Sequence, residues 1–304
     1  MVVGSAAVRV DPFRVARPTR TEGGPTSVLQ AIVLGITQGL TEFAPVSSSG
    51  HLILVPWLFG WDIVNDPALN KTFDVALHMG TLVGALIYFR SDVALYLGAW
   101  IRSIRQRAVQ TADERLAWML ILGTIPGAVA GALFESVIED KLGQPWLIAV
   151  FLAVGGIVLY FVDTRCRSDR VLVDLRTKDA AIIGVAQAVA LQPGVSRSGI
   201  TITAARALGV ERASAARFSF LLSLPIIAGA GLFKAVDLVG TGFQGYGSQF
   251  FWGFVASAIS GYLVIAFLLS YLRRHDLTVF VIYRLAVAAL VFLVIVTGFR
   301  SATI

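Results

Sequence analysis

Cysteine is nearly absent from this sequence. Cys166 is the single one, which excludes a disulfide framework and any zinc site built on cysteines. Histidine is almost as scarce: His51, His78 and His275 lie far apart in the chain and form no cluster. Charge is thin as well. Only 14% of the 304 residues are Asp, Glu, Lys or Arg, and 56% are hydrophobic, against about 25% charged in a soluble domain. So little charge cannot cover a water-facing surface, which excludes an ordinary soluble domain. No GxxxxGK[ST] phosphate loop occurs. The one GxGxxG run, Gly240-Thr241-Gly242-Phe243-Gln244-Gly245, sits between two apolar stretches rather than between a strand and a helix, so it reads as a flexible turn and not as a nucleotide site. No cleavable signal peptide is visible either. Residues 1–26 scatter Arg9, Arg14, Arg17 and Arg20 among Pro and Gly without an apolar core, and are expected to form a disordered tail.

What the sequence has in place of charge is apolar length. A spanning helix needs about 20 mostly apolar residues. Six stretches reach that standard: Thr72–Phe89, Leu116–Phe134, Trp146–Val162, Arg217–Ala235, Phe250–Tyr271 and Leu277–Gly298. Two more, Val28–Phe59 and Asp179–Leu208, are broken midway by Pro45-Val46-Ser47-Ser48-Ser49-Gly50 and by Pro193-Gly194-Val195-Ser196-Arg197-Ser198-Gly199. Neither half of either stretch is long enough to cross alone. Non-helical backbone at membrane depth survives only inside protein or along a wet cavity, so each broken stretch is expected to be a re-entrant helix-loop-helix hairpin.

The two breaks also match each other. Gly35, Gln38, Val46, Ser47, Ser49 and Gly50 recur as Gly184, Gln187, Val195, Ser196, Ser198 and Gly199, always 149 residues later. An internal repeat of half the chain follows. Each half has one hairpin and three spans, and an odd number of crossings inverts the second half against the first. The expected fold is an all-α polytopic membrane protein, six spanning helices plus two re-entrant hairpins in an inverted repeat. Residues 27–300 would form a single transmembrane domain, with halves at 27–163 and 178–298. Inverted repeats place their functional sites near the midplane, between the broken elements.

The net charge of +6 is carried mostly by short segments between apolar stretches, which points to the positive-inside rule rather than to nucleic acid. Arg90, Arg102, Arg105, Arg107 and Arg115 follow the first span. Arg165, Arg167, Arg170, Arg176 and Lys178 follow the third, and Arg273 and Arg274 the fifth. All three segments fall on one face, expected to be cytoplasmic. The segment Glu135–Gln144, with Lys141 alone, falls on the other. The basic N-terminal tail would then lie outside, against the rule, outvoted by three loops.

Ionisable groups inside a membrane are costly and are functional candidates by default. Glu42, His51 and Arg197 qualify. Gln38 and Glu42, spaced i and i+4, share a helix face. Ser47, Ser48 and Ser49 in the first hairpin, and Ser196, Ser198 and Thr201 in the second, add hydroxyls beside glycines. An arginine fork suits phosphate oxygens, and hydroxyls and N–H groups at a helix start favour an anion. A hydroxyl or imidazole beside a carboxylate is the usual equipment for covalent transfer. Blander readings stand beside these. Ser and Gly often serve only close packing in membrane helices, and Glu42 with Arg197 could be a buried ion pair. Asp74 and His78, also i and i+4, read as interfacial, as does His275.

The run from Gln38 to His51, Gln38-Gly39-Leu40-Thr41-Glu42-Phe43-Ala44-Pro45-Val46-Ser47-Ser48-Ser49-Gly50-His51, resembles the first signature of the undecaprenyl-diphosphatase, or bacitracin-resistance, family. Pro193-Gly194-Val195-Ser196-Arg197-Ser198-Gly199-Ile200-Thr201 resembles its second. The likeness continues at Gly123-Thr124-Ile125-Pro126, at Arg217 to Pro225 and at Ile282-Tyr283-Arg284. The resemblance implies hydrolysis of a polyprenyl diphosphate to the monophosphate, a multi-pass bacterial inner-membrane location and a site open to the extracytoplasmic side. It further implies dependence on a divalent cation, Mg or Ca, and bacitracin resistance on overproduction. By the same resemblance Glu42 is the essential carboxylate and candidate metal ligand, Ser48 the proposed nucleophile, and His51 and Arg197 the other catalytic residues. Gln38, Ser47, Ser49, Ser196, Ser198 and Thr201 are expected to bind substrate. Gln38 is a departure, since many members carry glutamate there, and it leaves Glu42 as the only carboxylate of the first signature. Expected partners are the lipid substrate, the bacterial membrane and a second copy in a homodimer, with no nucleic acid. A transporter or flippase for polyprenyl-phosphate lipids is the alternative, because paired hairpins in an inverted repeat are also transporter architecture. A type-2 phosphatidic-acid-phosphatase fold, suggested by Ser49-Gly50-His51, lacks the histidine that should follow Ser196-Arg197.

Overall fold

The computed structural model describes residues 27–61, 67–241, 243 and 245–304, with side chains except at 67–69, 135–140 and 233–241. The tail at 1–26, and Gly242 and Gln244 of the glycine run, lie outside the described residues. Regular structure among the described residues is helical, apart from one isolated bridge between Arg170 and Val210. Eleven α-helices follow in order: α1 Val28–Phe43, α2 Ser48–Phe59, α3 Pro67–Tyr88, α4 Arg90–Gln106, α5 Ala112–Lys141, α6 Pro145–Arg165, α7 Thr177–Val189, α8 Arg197–Ala207, α9 Arg212–Thr241, α10 Gly247–Tyr271 and α11 Thr278–Val296.

Among the described residues, five stretches are long and apolar enough to cross a membrane alone: Ala112–Phe134, Pro145–Arg165, Arg212–Leu232, Gly247–Tyr271 and Thr278–Val296. A sixth arises if α3 and α4 count as one span, although they are bent 84° from each other. The chain is therefore a multi-pass helical membrane protein. Two sequence expectations need correction. The arginine-rich segment after the first apolar stretch is helix α4 for most of its length, not a loop. It presents Leu95, Leu97, Ile101 and Ile104 as exposed apolar side chains beside its arginines, an amphipathic pattern that a simple hydropathy scan passes over. The segment Glu135–Gln144 likewise continues α5 as far as Lys141.

Both broken stretches fold as helix pairs, and their second helices begin alike. α1 starts on a Ser27–Gln30 capping box. It stops at Ala44, whose extended backbone (φ −66°, ψ 142°) is what a residue before proline prefers. Ser47 and Ser196, at φ 75° each, cap α2 and α8 by accepting from the N–H groups of Gly50 and Gly199. Serine seldom adopts positive φ, and such strain collects at functional sites.

Packing follows the repeat. α1 lies against α10 and α7 against α5, while α3 meets α9 and α6 meets α11. Equivalent glycines allow the close crossings: a Cβ on Gly35 would strike the Gly253 carbonyl of α10, and one on Gly184 the Gly123 carbonyl of α5. A buried ionic cluster closes the opposite end. Asp163 on α6 accepts from Arg206 of α8 and Arg212 of α9, each at 2.8 Å, and from the Leu277 N–H just before α11.

Candidate active site

The two loops meet. The Gly194 N–H donates to Ser47 Oγ at 3.0 Å, and Ser198 Oγ donates to the Ala44 carbonyl at 2.8 Å. α2 and α8 thus both begin at one junction, where two positive dipole ends converge. Arg284 of α11, only 1% exposed, locks that junction. Its guanidinium donates to Pro45 of the first loop, to Gly194 and Val195 of the second, and to Phe151 and Leu152 of α6, over 2.9–3.1 Å.

Glu42 is the hub. It is 5% exposed at the end of α1. Its Oε1 accepts from Arg197 Nη2 at 2.8 Å. Its Oε2 accepts from Gln38 Nε2 at 2.9 Å and from Ser48 Oγ at 2.5 Å. A hydroxyl this close to a carboxylate is a charge-assisted bond with the proton already aimed at the acceptor. Arg197 keeps its other terminal nitrogen, Nη1, buried and without a partner among the described residues. Gln38 Oε1 is likewise buried and unpartnered. Unsatisfied buried polar atoms are rare and call for an explanation; here one strong donor and one acceptor are left open around a single carboxylate.

His51 is placed differently. Its Nδ1 lies 2.7 Å from the Ser47 carbonyl. A carbonyl only accepts, so Nδ1 carries the hydrogen and Nε2 accepts from the Tyr283 hydroxyl at 2.8 Å. The two rings also stack, with centroids 5.6 Å apart. His51 therefore has both nitrogens engaged and makes no hydrogen bond to Glu42, Ser48 or Arg197. The remaining expected residues divide by exposure. Ser47, Ser196, Ser198 and Thr201 are buried and bonded internally; Thr201 Oγ1 donates to the Arg197 carbonyl at 2.7 Å and meets Ser219 Oγ. Ser49 is half-buried, its hydroxyl 3.5 Å from that of Ser47.

Three residues at the site were not singled out for it by the sequence. His78 reads as interfacial in sequence, yet α3 packs on α1 and brings its Nε2 to 3.6 Å from Glu42 Oε2. Tyr283 and Arg284 stood only in a short stretch of family likeness. An arginine amid the apolar residues of the last span was the available signal for Arg284. Nothing in the sequence pairs Tyr283 with His51.

The family described as bacitracin resistance protein BacA matches residues 31–290. The chain belongs to the BacA family. Proteins similar to it over most of its length are named undecaprenyl-diphosphatase. That of Desulforudis audaxviator is 51% identical over 257 residues, covering 84% of this chain and 93% of the relative. That of Geobacter sulfurreducens is 49% identical over 264 residues, 85% and 94% of the two chains. That of Pelobacter propionicus is 44% identical over 274 residues, 90% and 98%. The BacA match takes in both serine-rich loops, α3 and Arg284, so every residue of the site lies inside it.

Proposed function

We infer that this protein hydrolyses undecaprenyl diphosphate to the monophosphate and inorganic phosphate, recycling the lipid carrier of cell-wall synthesis. The relatives that share most of its length are named as phosphatases of this substrate, and the transporter alternative finds no support among them. The observation that carries the reading is the junction itself: a nucleophile-type hydroxyl on a carboxylate, an arginine with an open donor, and two helix N-termini in one place.

The residues act as follows. Arg197 Nη1 and the first N–H groups of α2 and α8 bind the terminal phosphoryl group, Arg197 by its planar fork. Ser48 Oγ attacks phosphorus. Its bond to phosphorus forms, the bridging P–O bond to the polyprenyl monophosphate breaks, and the Ser48 proton passes to Glu42 Oε2, on which it is already directed. Glu42 gives that proton to the departing polyprenyl monophosphate; water then attacks the phosphoserine, and Glu42 takes a proton from the water and returns it to Ser48 Oγ as phosphate leaves. Gln38 orients Glu42. Ser47, Ser196, Ser198 and Thr201 shape the two loops, leaving Ser49 as the serine side chain still available to substrate. His51 would have to exchange Tyr283 for substrate before acting, which is why the attack is assigned to Ser48.

Divalent-cation dependence is part of this reading. Among the described residues no three of His, Cys, Asp or Glu cluster as a metal site. The residues fit an ion: the Glu42 carboxylate and Gln38 Oε1, unpartnered among the described residues, would hold it, with substrate oxygens adding to the shell. When bound, the ion would neutralise diphosphate charge.

We further read the chain as one transmembrane unit from 27 to 300, with α1–α2 and α7–α8 as re-entrant hairpins of an inverted repeat. The paired contacts α1–α10 with α7–α5, and the self-paired contacts α3–α9 and α6–α11, support this. The site would open to the extracytoplasmic side, because the arginine-rich segments mark the other face.

Phosphate release by the detergent-purified full chain from farnesyl, undecaprenyl and decaprenyl diphosphates tests the assignment. Release from the long-chain substrates is expected. No release from any of the three would overturn it.

A further inference from the structure

His78 stands beside Glu42 in an unusual way. The Asp74 carbonyl, 2.8 Å from Nδ1, can only accept, so Nδ1 carries the hydrogen. The other ring nitrogen, Nε2, faces Glu42 Oε2, 3.6 Å away. That distance is too long for a hydrogen bond. Gln38 Oε1 is a third polar atom of the group, buried and without a partner among the described residues. Gln38 belongs to the same group because its amide nitrogen bonds that same Glu42 oxygen.

One kind of ligand explains all three at once. Two donors held about 2.0–2.5 Å from one ion, and roughly at right angles or slightly wider around it, stand about 3–4 Å apart. The Glu42–His78 separation falls in that interval. Histidines that bind metals almost always donate their other ring N–H to a carbonyl or carboxylate, which is what Asp74 receives from His78. His78 is also 31% exposed at its side chain, which leaves an approach for the ion.

We propose that His78 Nε2, Glu42 Oε2 and Gln38 Oε1 form a mixed nitrogen–oxygen site for a divalent cation at the phosphatase centre. The proposal rests on the cation-dependent reading of the site and adds to it a nitrogen ligand. Carboxylate and carbonyl oxygens suit Mg, Ca and Mn, whereas imidazole suits the transition metals. The site therefore favours Mn²⁺ and its neighbours over Mg²⁺ and Ca²⁺. His51 is not a ligand, because Ser47 and Tyr283 occupy both of its nitrogens.

Electron paramagnetic resonance on the full chain tests this directly. The protein is purified in detergent without a histidine tag and loaded with Mn²⁺. Pulsed spectra of the wild type should show ¹⁴N coupling from one imidazole. His78→Gln should lose that coupling and weaken Mn²⁺ binding about tenfold or more, with a much smaller change for Mg²⁺, while His51→Gln keeps the coupling. Absence of nitrogen coupling in the wild type, or its persistence in His78→Gln, would overturn the proposal, and the wild-type arm decides even if the variant fails to fold. Phosphate release is measured on the same samples. Turnover without nitrogen coupling would remove His78 and leave the phosphatase reading standing; coupling without turnover would do the reverse.

Discussion

Ser48 and Arg197 occupy equivalent positions in the two halves, each the first residue of its helix and 149 residues apart, and both bond the carboxylate of Glu42. The repeat has thus been put to unequal use. Where the first half has Glu42 and His51, the same offset finds Leu191 and Ile200. On the proposed mechanism one half supplies the base and the hydroxyl, and the other supplies the anion donor.

This division gives Ser48 a specific weight. Ser48→Ala should lower turnover by on the order of 10³-fold or more, as loss of a nucleophile does elsewhere, with little change in KM. Steady-state phosphate release measures it. Turnover within tenfold of wild type would transfer the attack to water or to His51.

Arg284 should matter for a different reason. Lysine has three donors for the five carbonyls that Arg284 now holds. Two buried acceptors would be left open, at about 1–3 kcal/mol each. Arg284→Lys is expected to lower the Tm in detergent by several degrees and to reduce turnover through misplaced loops. An unchanged Tm would show that the junction holds without it.

Cys166 reports sidedness without any added label site, since it lies between α6 and α7 on the arginine-rich face and is partly exposed. A membrane-impermeant thiol reagent should leave it untouched in intact cells and label it after permeabilisation. Gly143→Cys in a Cys166→Ala background should give the opposite pattern. Labelling of Cys166 in intact cells would put the site mouth on the cytoplasmic side.

Much of this was legible in the sequence for a physical reason. Pro45 and Pro193, with the serines and glycines after them, break helices locally, so both helix breaks could be placed from composition alone. The 149-residue recurrence made the repeat visible without coordinates. α4 was missed because its arginines dilute its hydropathy, although its apolar residues keep helical spacing. His78 was missed because its meeting with Glu42 depends on how α3 packs against α1, which no local pattern encodes. Arg284 showed as an arginine in an apolar span, but its partners are backbone carbonyls, and those leave no trace in sequence.

Arg197 and Glu42 are the last pair to separate by experiment, since a buried ion pair and a catalytic pair look alike at rest. Removing one partner alone strands a buried charge at a cost of about 3–5 kcal/mol, so a single variant confounds folding with chemistry. Glu42→Gln combined with Arg197→Met removes both charges together. Phosphate release from undecaprenyl diphosphate by that double variant, purified and eluting as the wild type does, is the most direct measurement. The catalytic account predicts a folded protein with no release above background, because both the base and the anion donor are gone. Release near the wild-type rate would contradict it and leave the pair a purely structural bridge.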